Sequence, residues 1–143
     1  MRISDILKKK KTFSFEVFPP NPEQSKISDI YSTIDSLQQY NPDFISVTFK
    51  SSGNYSQNTI DLASYIQSNG NAEPLVHFTC GALDNHDVDQ LITTLQQAKL
   101  ENILALRGDR PTDFEGNYLQ YFKHASELME YLRERGDFCL AGA

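Results

Sequence analysis

The sequence predicts an α/β fold in which one parallel sheet is built from short strands that alternate with amphipathic helices. Runs rich in β-branched and aromatic residues recur along the 143 residues, and such runs are typical of strands. Between them, apolar residues recur at spacings of about three, four and seven, which is the pattern of a helix with one buried face. Because strands that alternate with helices pair in parallel through crossover connections, this order predicts a parallel sheet.

The elements follow in order along the chain. A lead-in helix is predicted within residues 1–11. The predicted strands are the β-rich runs at residues 12–18, 43–49, 73–80, 101–108 and 137–143. The helices between them have apolar faces formed by Ile27, Ile30, Tyr31, Ile34 and Leu37; by Ile60, Ala63 and Ile66; by Val88, Leu91, Ile92, Leu95 and Ala98; and by Tyr121, Ala125, Leu128, Met129 and Leu132. Asn69-Gly70 is expected to end the second of these helices, and Asp84 or Asn85 to cap the third.

The two faces of each strand favour a (β/α)8 barrel of the TIM-barrel type over a doubly wound open sheet. In the first strand, Phe15 and Val17 share an apolar face, and Glu16 lies on the opposite face. In the fourth strand, the same alternation assigns Leu106 to the apolar face and Arg107 to the polar one. An open sheet covered by helices on both sides is apolar on both faces, whereas a barrel has helices only outside.

The length of the chain predicts a truncated barrel. A (β/α)8 barrel ordinarily takes about 250 residues. Residues 1–143 are therefore expected to form the N-terminal part of a single barrel domain, about the first four and a half βα units. Two interpretations stay open at this point. The chain is either the first half of an enzyme or a catalytically inactive half-barrel that associates with itself through its open edge strands.

Composition excludes several classes of function. The net charge of −6 and a pI near 4.9 argue against binding to nucleic acid or to an anionic membrane surface. We find neither an apolar run of about 20 residues nor a secretory signal, and Cys80 and Cys139 lie far apart without a CxxC motif. The sequence thus predicts a cytoplasmic protein with two buried thiols and no metal site, and it leaves a homo-oligomer open.

Polar side chains at the carboxyl ends of the strands are predicted to meet at one mouth of the barrel, where such folds place their active sites. Glu16, Thr48, His77, Arg107 and Asp109 occupy these ends. Glu16, flanked by aromatic residues, is expected to be desolvated, whereas Asp109 is expected to stay ionised. From the residues alone, a structural ion pair between Glu16 and Arg107 accounts for the position of Glu16 equally well as a catalytic role does. A buried structural role is favoured over a catalytic or binding role for His77.

Four segments, in their order and spacing, resemble the methylenetetrahydrofolate reductase family. They are "FSFEVFPP" from residue 13, "PDFISVT" from residue 42, "VHFTC" from residue 76 and "NILALRGDRP" from residue 102. The resemblance implies an FAD-containing (β/α)8 barrel. It also implies an oxidoreductase that reduces 5,10-methylenetetrahydrofolate to 5-methyltetrahydrofolate with NADH or NADPH, in one-carbon and methionine metabolism.

The same resemblance implies a role for individual residues. Glu16 matches the general acid that protonates the folate so that its five-membered ring opens, and Asp109 matches the acid beside the flavin and the pterin. The positions that match FAD contacts are Thr48, His77, Arg107, Gly108, Asp109, His124 and Ala125. Two positions depart from the family pattern, because Lys50 stands where glycine is common and His124 stands where tyrosine often precedes the alanine.

Overall fold

The computed structural model describes residues 1–20, 27–49, 55–112 and 114–143. It confirms every predicted strand and helix, with shorter bounds at most ends. In chain order the elements are α1 (Ile3–Leu7), β1 (Ser14–Val17), α2 (Ile27–Gln38), β2 (Phe44–Val47), α3 (Tyr55–Asn69), β3 (Glu73–Thr79), α4 (Asn85–Gln97), β4 (Asn102–Leu106), α5 (Ala125–Arg135) and β5 (Cys139–Gly142).

The five strands form one parallel sheet in the order β1-β2-β3-β4-β5. Each strand is added on the same side of the one before it, so the order never reverses as it does in a doubly wound sheet. This is the strand order of the first five units of a (β/α)8 barrel, and it confirms the predicted fold class.

The core lies between the sheet and its helices. Alternate residues of the strands point to this helix-covered face, where they are almost completely buried. They are Val17, Ile45, Val47, Val76, Phe78, Ile103 and Ala105. Residues on the opposite face, called here the inner face, include Glu16, Ser46 and His77, and burial on this face is uneven.

The predicted faces of β4 are wrong. Leu104 lies beside His77 in the register and Leu106 beside Thr79, so both leucines belong to the inner face. Ala105 instead faces the helices and is fully buried. The physical reason is that α5 packs on β4, where a small residue allows close approach, while bulky branched side chains fill the interior of a barrel.

Two helix ends refine the prediction. Asp84, rather than Asn85, caps α4. Its carboxylate accepts a hydrogen bond from the Asp87 amide at 2.8 Å, and the Asp87 carboxylate accepts one from the Asp84 amide at 3.1 Å. Tyr121 was assigned to the last helix, but α5 begins only at Ala125. Within the described residues, no helix is long and apolar enough to cross a bilayer.

The lead-in helix α1 is attached to the amino-terminal end of the sheet by Asn102. The buried side chain of Asn102 accepts a hydrogen bond from the Ile3 amide at 2.9 Å and donates one to the Met1 carbonyl at 3.0 Å. The contact holds α1 at this end of the sheet, whereas barrels of this type place their active sites at the carboxyl ends of the strands.

Candidate functional site

Glu16, Ser46 and His77, called here the acid cluster, meet on the inner face of three neighbouring strands. Glu16 lies beside Ser46 in the β1–β2 register. The Ser46 hydroxyl is 3.3 Å from Glu16 Oε2 and 3.5 Å from the Phe15 carbonyl oxygen, so it can donate to either. His77 Nε2 lies 3.3 Å from the same oxygen, Oε2. One carboxyl oxygen is thus approached from two sides, and Oε1 makes no hydrogen bond or ion pair with another described residue.

His77 is buried without a full set of hydrogen bonds. Only 8% of the residue is exposed, and its Nε2 makes no aligned hydrogen bond within the described residues although Glu16 is near. Burial lowers the pKa of His77, and the nearby Glu16 charge opposes that shift. The imidazole is therefore neutral at pH 7, and a small movement of the Glu16 carboxyl would complete a hydrogen bond.

Glu16 is not desolvated, and the expectation that it would be is wrong for this sheet. Its side chain is 48% exposed because β1 lies at the edge of the sheet and has a neighbouring strand on one side only. The alternative ion pair with Arg107 is not formed among the described residues either. The Arg107 guanidinium instead lies 3.5 Å from the Gly108 carbonyl oxygen.

A second group of predicted residues lines one open pocket of about 710 Å³ between the end of β4 and the start of α5. This β4–α5 pocket is lined by Leu106, Arg107, Gly108, Asp109, His124, Ala125, Ser126 and Ala143. Five of the seven positions matched to FAD contacts therefore come together. Its volume lies within the range of about 300–1,000 Å³ that is usual for cofactor sites.

The other two matched positions, Thr48 and His77, lie outside the lining of this pocket. Thr48 follows β2, where its amide donates to the Val17 carbonyl at 3.1 Å and its carbonyl accepts from the Thr59 hydroxyl at 2.8 Å. Its backbone thus ties β2 to β1 and to α3. Lys50, which departs from the family pattern, falls outside the described residues.

Gly108 allows the chain to turn sharply at the pocket. Its φ of +79° is in the left-handed region, and a Cβ there would lie 2.7 Å from the Thr79 Cβ. A side chain at this position would therefore be both strained and obstructed. Just before the turn, the Gly81 amide donates to the Arg107 carbonyl at 2.8 Å, so the ends of β3 and β4 are held together.

The start of α5 suits an anionic ligand group. Backbone amides of the first turn of a helix lack partners within the helix and attract negative charge. His124, the residue before α5, provides no side-chain cap, and Ala125 and Ser126 line the pocket together with the Arg107 cation. The Glu127 carboxylate in the same turn already accepts a hydrogen bond from the Lys123 amide at 2.6 Å, so a phosphate of the FAD that the resemblance implies would be bound by Arg107 and by the Ala125 and Ser126 amides.

A buried thiol lies next to the backbone of His124, a residue that lines the pocket. Cys80 is completely buried, with its Sγ 4.0 Å from the His124 carbonyl oxygen, and burial raises the pKa of Cys80 to about 11. Cys139 is only half-buried, so the prediction of two buried thiols is wrong for that residue. Among the described residues, no three His, Cys, Asp or Glu side chains converge to hold a metal ion.

Two residues of this region were missed as site residues by sequence reasoning. Ser46 is not among the candidate residues of the sequence analysis, although its alternation with Ile45 and Val47 is that of a polar-face residue beside Glu16. No pattern in the sequence indicates a site role for Tyr118. It lies in the irregular segment before α5, and its hydroxyl donates to the Gly108 carbonyl at 2.6 Å.

Comparison with known proteins gives a consistent result. A family model described as methylenetetrahydrofolate reductase matches residues 2–143. Methylenetetrahydrofolate reductase 1 of Schizosaccharomyces pombe is 32% identical over 100% of this chain, which spans 25% of that relative. Methylenetetrahydrofolate reductase (NADH) 1 of Arabidopsis thaliana is 31% identical over 88% of the chain, which spans 22% of the relative. The 5,10-methylenetetrahydrofolate reductase of Escherichia coli is 28% identical over 91% of the chain, and the matched part covers 42% of that relative.

Proposed function

This chain belongs to the methylenetetrahydrofolate reductase family, and from that premise we propose that it carries the general acid and part of the FAD site of an enzyme that reduces 5,10-methylenetetrahydrofolate to 5-methyltetrahydrofolate. NADH or NADPH is the electron donor in this proposal. The reaction belongs to one-carbon and methionine metabolism, in the cytoplasm. The chain spans about a quarter of the fungal and plant relatives compared above, so activity is assigned to the barrel to which these residues contribute.

The observation that carries the proposal is the geometry at the Glu16 carboxyl. Ser46 and His77 both approach Oε2, while Oε1 has no partner among the described residues and the side chain is half exposed on the inner face. A carboxyl that is oriented at one oxygen and accessible at the other can deliver a proton to a substrate atom. In the proposed reaction that atom is a nitrogen of the folate, whose protonation opens the five-membered ring.

His77 stabilises the carboxylate that remains after proton transfer. Its imidazole is neutral and carries one N–H, which can be donated to Oε2 once the carboxyl has lost its proton. A hydrogen bond to a charged acceptor is stronger than one to a neutral acceptor, so this contact strengthens as the proton leaves. Ser46, bonded to the same oxygen, keeps the carboxyl directed to the inner face.

The β4–α5 pocket would hold the cofactor. Arg107 and the first turn of α5 would bind its phosphate, and the open turn at Gly108 permits close approach of a ligand to the backbone. Asp109 is exposed at the rim, where its negative charge would stabilise a cationic folate intermediate. When bound, FAD supplies the hydride that completes the reduction.

A second candidate is an inactive half-barrel. The exposure of Glu16 favours it, because the side chain is 48% exposed on the edge strand β1 and is not enclosed at a finished site. FAD titration followed by absorbance separates the two candidates. The proposed enzyme binds FAD, shows flavin absorbance after gel filtration and is bleached by NADH, whereas a chain that stays colourless at saturating FAD supports the inactive half-barrel.

Substitution tests the acid directly in preparations that reduce methylenetetrahydrofolate. Glu16→Gln is expected to lower folate reduction by about 10²–10⁴-fold, because it removes the proton donor, and to leave NADH-driven bleaching of the flavin unchanged. Glu130→Gln, which removes an exposed carboxylate on α5, is the matched control and should leave both half-reactions intact. Full folate reduction by Glu16→Gln would contradict the acid assignment.

A further inference from the structure

Tyr118 joins the irregular segment before α5 to the ends of two strands. Its hydroxyl donates to the Gly108 carbonyl oxygen at 2.6 Å, after the end of β4. Its ring packs on Gly81, after the end of β3, where an added Cβ would lie 2.5 Å from a ring carbon. The adjacent Leu119 amide donates to the Gly81 carbonyl at 2.7 Å. The segment is thus attached to both strand ends by one side chain and one backbone bond.

These contacts determine the orientation of the peptide between Gly108 and Asp109. A peptide bond in the trans form directs its C=O and N–H to opposite sides, and the described chain contains no cis peptide. With the Gly108 carbonyl bonded to Tyr118, the Asp109 N–H points away from the tyrosine. Among the described residues, no acceptor bonds to this N–H.

The pocket lies beside this free amide. Gly108 and Asp109 line the β4–α5 pocket, whereas Tyr118 lies behind it and is not part of the lining. A glycine at positive φ has access to several backbone conformations, so its peptide can rotate unless its carbonyl is held. The Tyr118 hydroxyl is the strongest contact on that carbonyl, because the Arg107 guanidinium is 3.5 Å away.

We propose that Tyr118 is a positioning residue whose hydroxyl holds the Gly108–Asp109 peptide so that the Asp109 amide donates a hydrogen bond to a ligand in the β4–α5 pocket. The ligand class is a flavin, whose ring and phosphates both present acceptor atoms, and this part rests on the proposed function. The hydroxyl acts on the ligand only through the peptide. The ring of Tyr118 makes a separate contact, because it packs on Gly81.

The test compares Tyr118→Phe with Tyr121→Phe in the chain. Tyr118→Phe removes the hydroxyl and keeps the ring on Gly81, while Tyr121 is half exposed and three residues away in the same segment. Without FAD, Tyr118→Phe is expected to shift the Gly108 and Asp109 amide signals in ¹⁵N-resolved NMR spectra. It is also expected to weaken FAD binding about three- to tenfold, which corresponds to one hydrogen bond, in a fluorescence titration. Tyr121→Phe should do neither.

The two readouts distinguish failure of this inference from failure of the proposed function. Unchanged Gly108 and Asp109 signals in Tyr118→Phe overturn the positioning role, and so does an equal loss of FAD affinity in both variants. A wild-type chain that binds no FAD overturns the flavin assignment for this chain and supports the inactive half-barrel. A shift of the two amide signals in that same chain would still support the held peptide. If Tyr118→Phe melts far below the wild type, Tyr118→His, which retains a ring with a polar edge, is measured in the same way.

Discussion

The acid cluster and the β4–α5 pocket lie at the same end of the sheet but differ in construction. The acid cluster takes one residue from each of three strands, and both contacts to Glu16 Oε2 are 3.3 Å long. The pocket is built mainly from residues 106–126, and its turn is held by hydrogen bonds of 2.6–2.8 Å. The stretch that carries the pocket is fixed by short hydrogen bonds, one of them internal and two to Gly81 after β3, whereas the acid cluster depends only on how three strands are placed in the sheet.

Position in the sheet explains the loose geometry of the acid cluster. His77 lies on β3, with a strand on either side, and is buried, whereas Glu16 lies on the edge strand β1 and is half exposed. The same face of the same sheet therefore gives two neighbouring side chains different solvation. This difference lowers the pKa of His77 by burial and leaves the Glu16 carboxyl in contact with water.

The largest expected effect concerns the thiol next to the pocket, Cys80, compared with Cys139 on β5. With a pKa of about 11, only about one Cys80 thiol in a thousand is ionised at pH 8, and its sulfur is fully buried. Cys139, which is half-buried, should react with iodoacetamide about a hundredfold faster or more under native conditions. Peptide mass spectrometry over time measures both rates. Equal rates would show that Cys80 is not buried beside His124 in solution.

A smaller effect is expected from obstruction of the turn. Gly108→Ala places a Cβ against Thr79 at a positive φ, which costs about 1–3 kcal/mol of folding free energy. FAD affinity should fall about tenfold, because the turn that forms the pocket has to move. Gly116→Ala is the matched control, since its added Cβ meets only the tip of the Phe114 ring and Gly116 has no positive φ. Calorimetry and FAD titration give the two quantities, and identical results for both variants would be inconsistent with a strained turn.

The burial of His77 predicts a moderate dependence of stability on pH. Because its folded pKa lies below its unfolded value of about 6.5, the folded state favours the neutral ring. The associated stability is fully present above about pH 6.5 and is lost as the pH falls through the folded pKa. His77→Asn should reduce the decline in the free energy of unfolding below pH 6.5, measured by urea denaturation. His86→Asn, at an exposed position on α4, should leave that decline unchanged.

The smallest expected effect probes the link between Glu16 and His77. Since the Glu16 charge raises the pKa of His77 against the effect of burial, Glu16→Gln should lower that pKa further. NMR titration of the imidazole signals measures it, with Glu130→Gln as control. If the pKa of His77 rises or stays constant in Glu16→Gln, the two side chains do not interact in solution.

Much of the fold and of the candidate site was predictable from local pattern. Apolar spacing and β-rich runs predicted the helices and strands, two of the polar strand-end residues, Arg107 and Asp109, line the pocket, and the family resemblance added Gly108, His124 and Ala125. The faces of β4 were not predictable, because Leu104, Ala105 and Leu106 are all apolar and alternation has no contrast there. Tyr118 was not predictable either, because an irregular segment has no periodicity from which to infer a contact.

The sequence by itself determined the order of the elements, the parallel sheet and the chemical groups at its carboxyl end, because those depend on spacing along the chain. Tertiary structure alone decided that Glu16 is half exposed beside a buried His77 and that Ser46 and His77 approach the same Glu16 oxygen, Oε2. It also decided that the Tyr118 hydroxyl bonds to the Gly108 carbonyl. Such features depend on strand position and on contacts between residues that lie far apart in the chain, and sequence spacing carries no record of either.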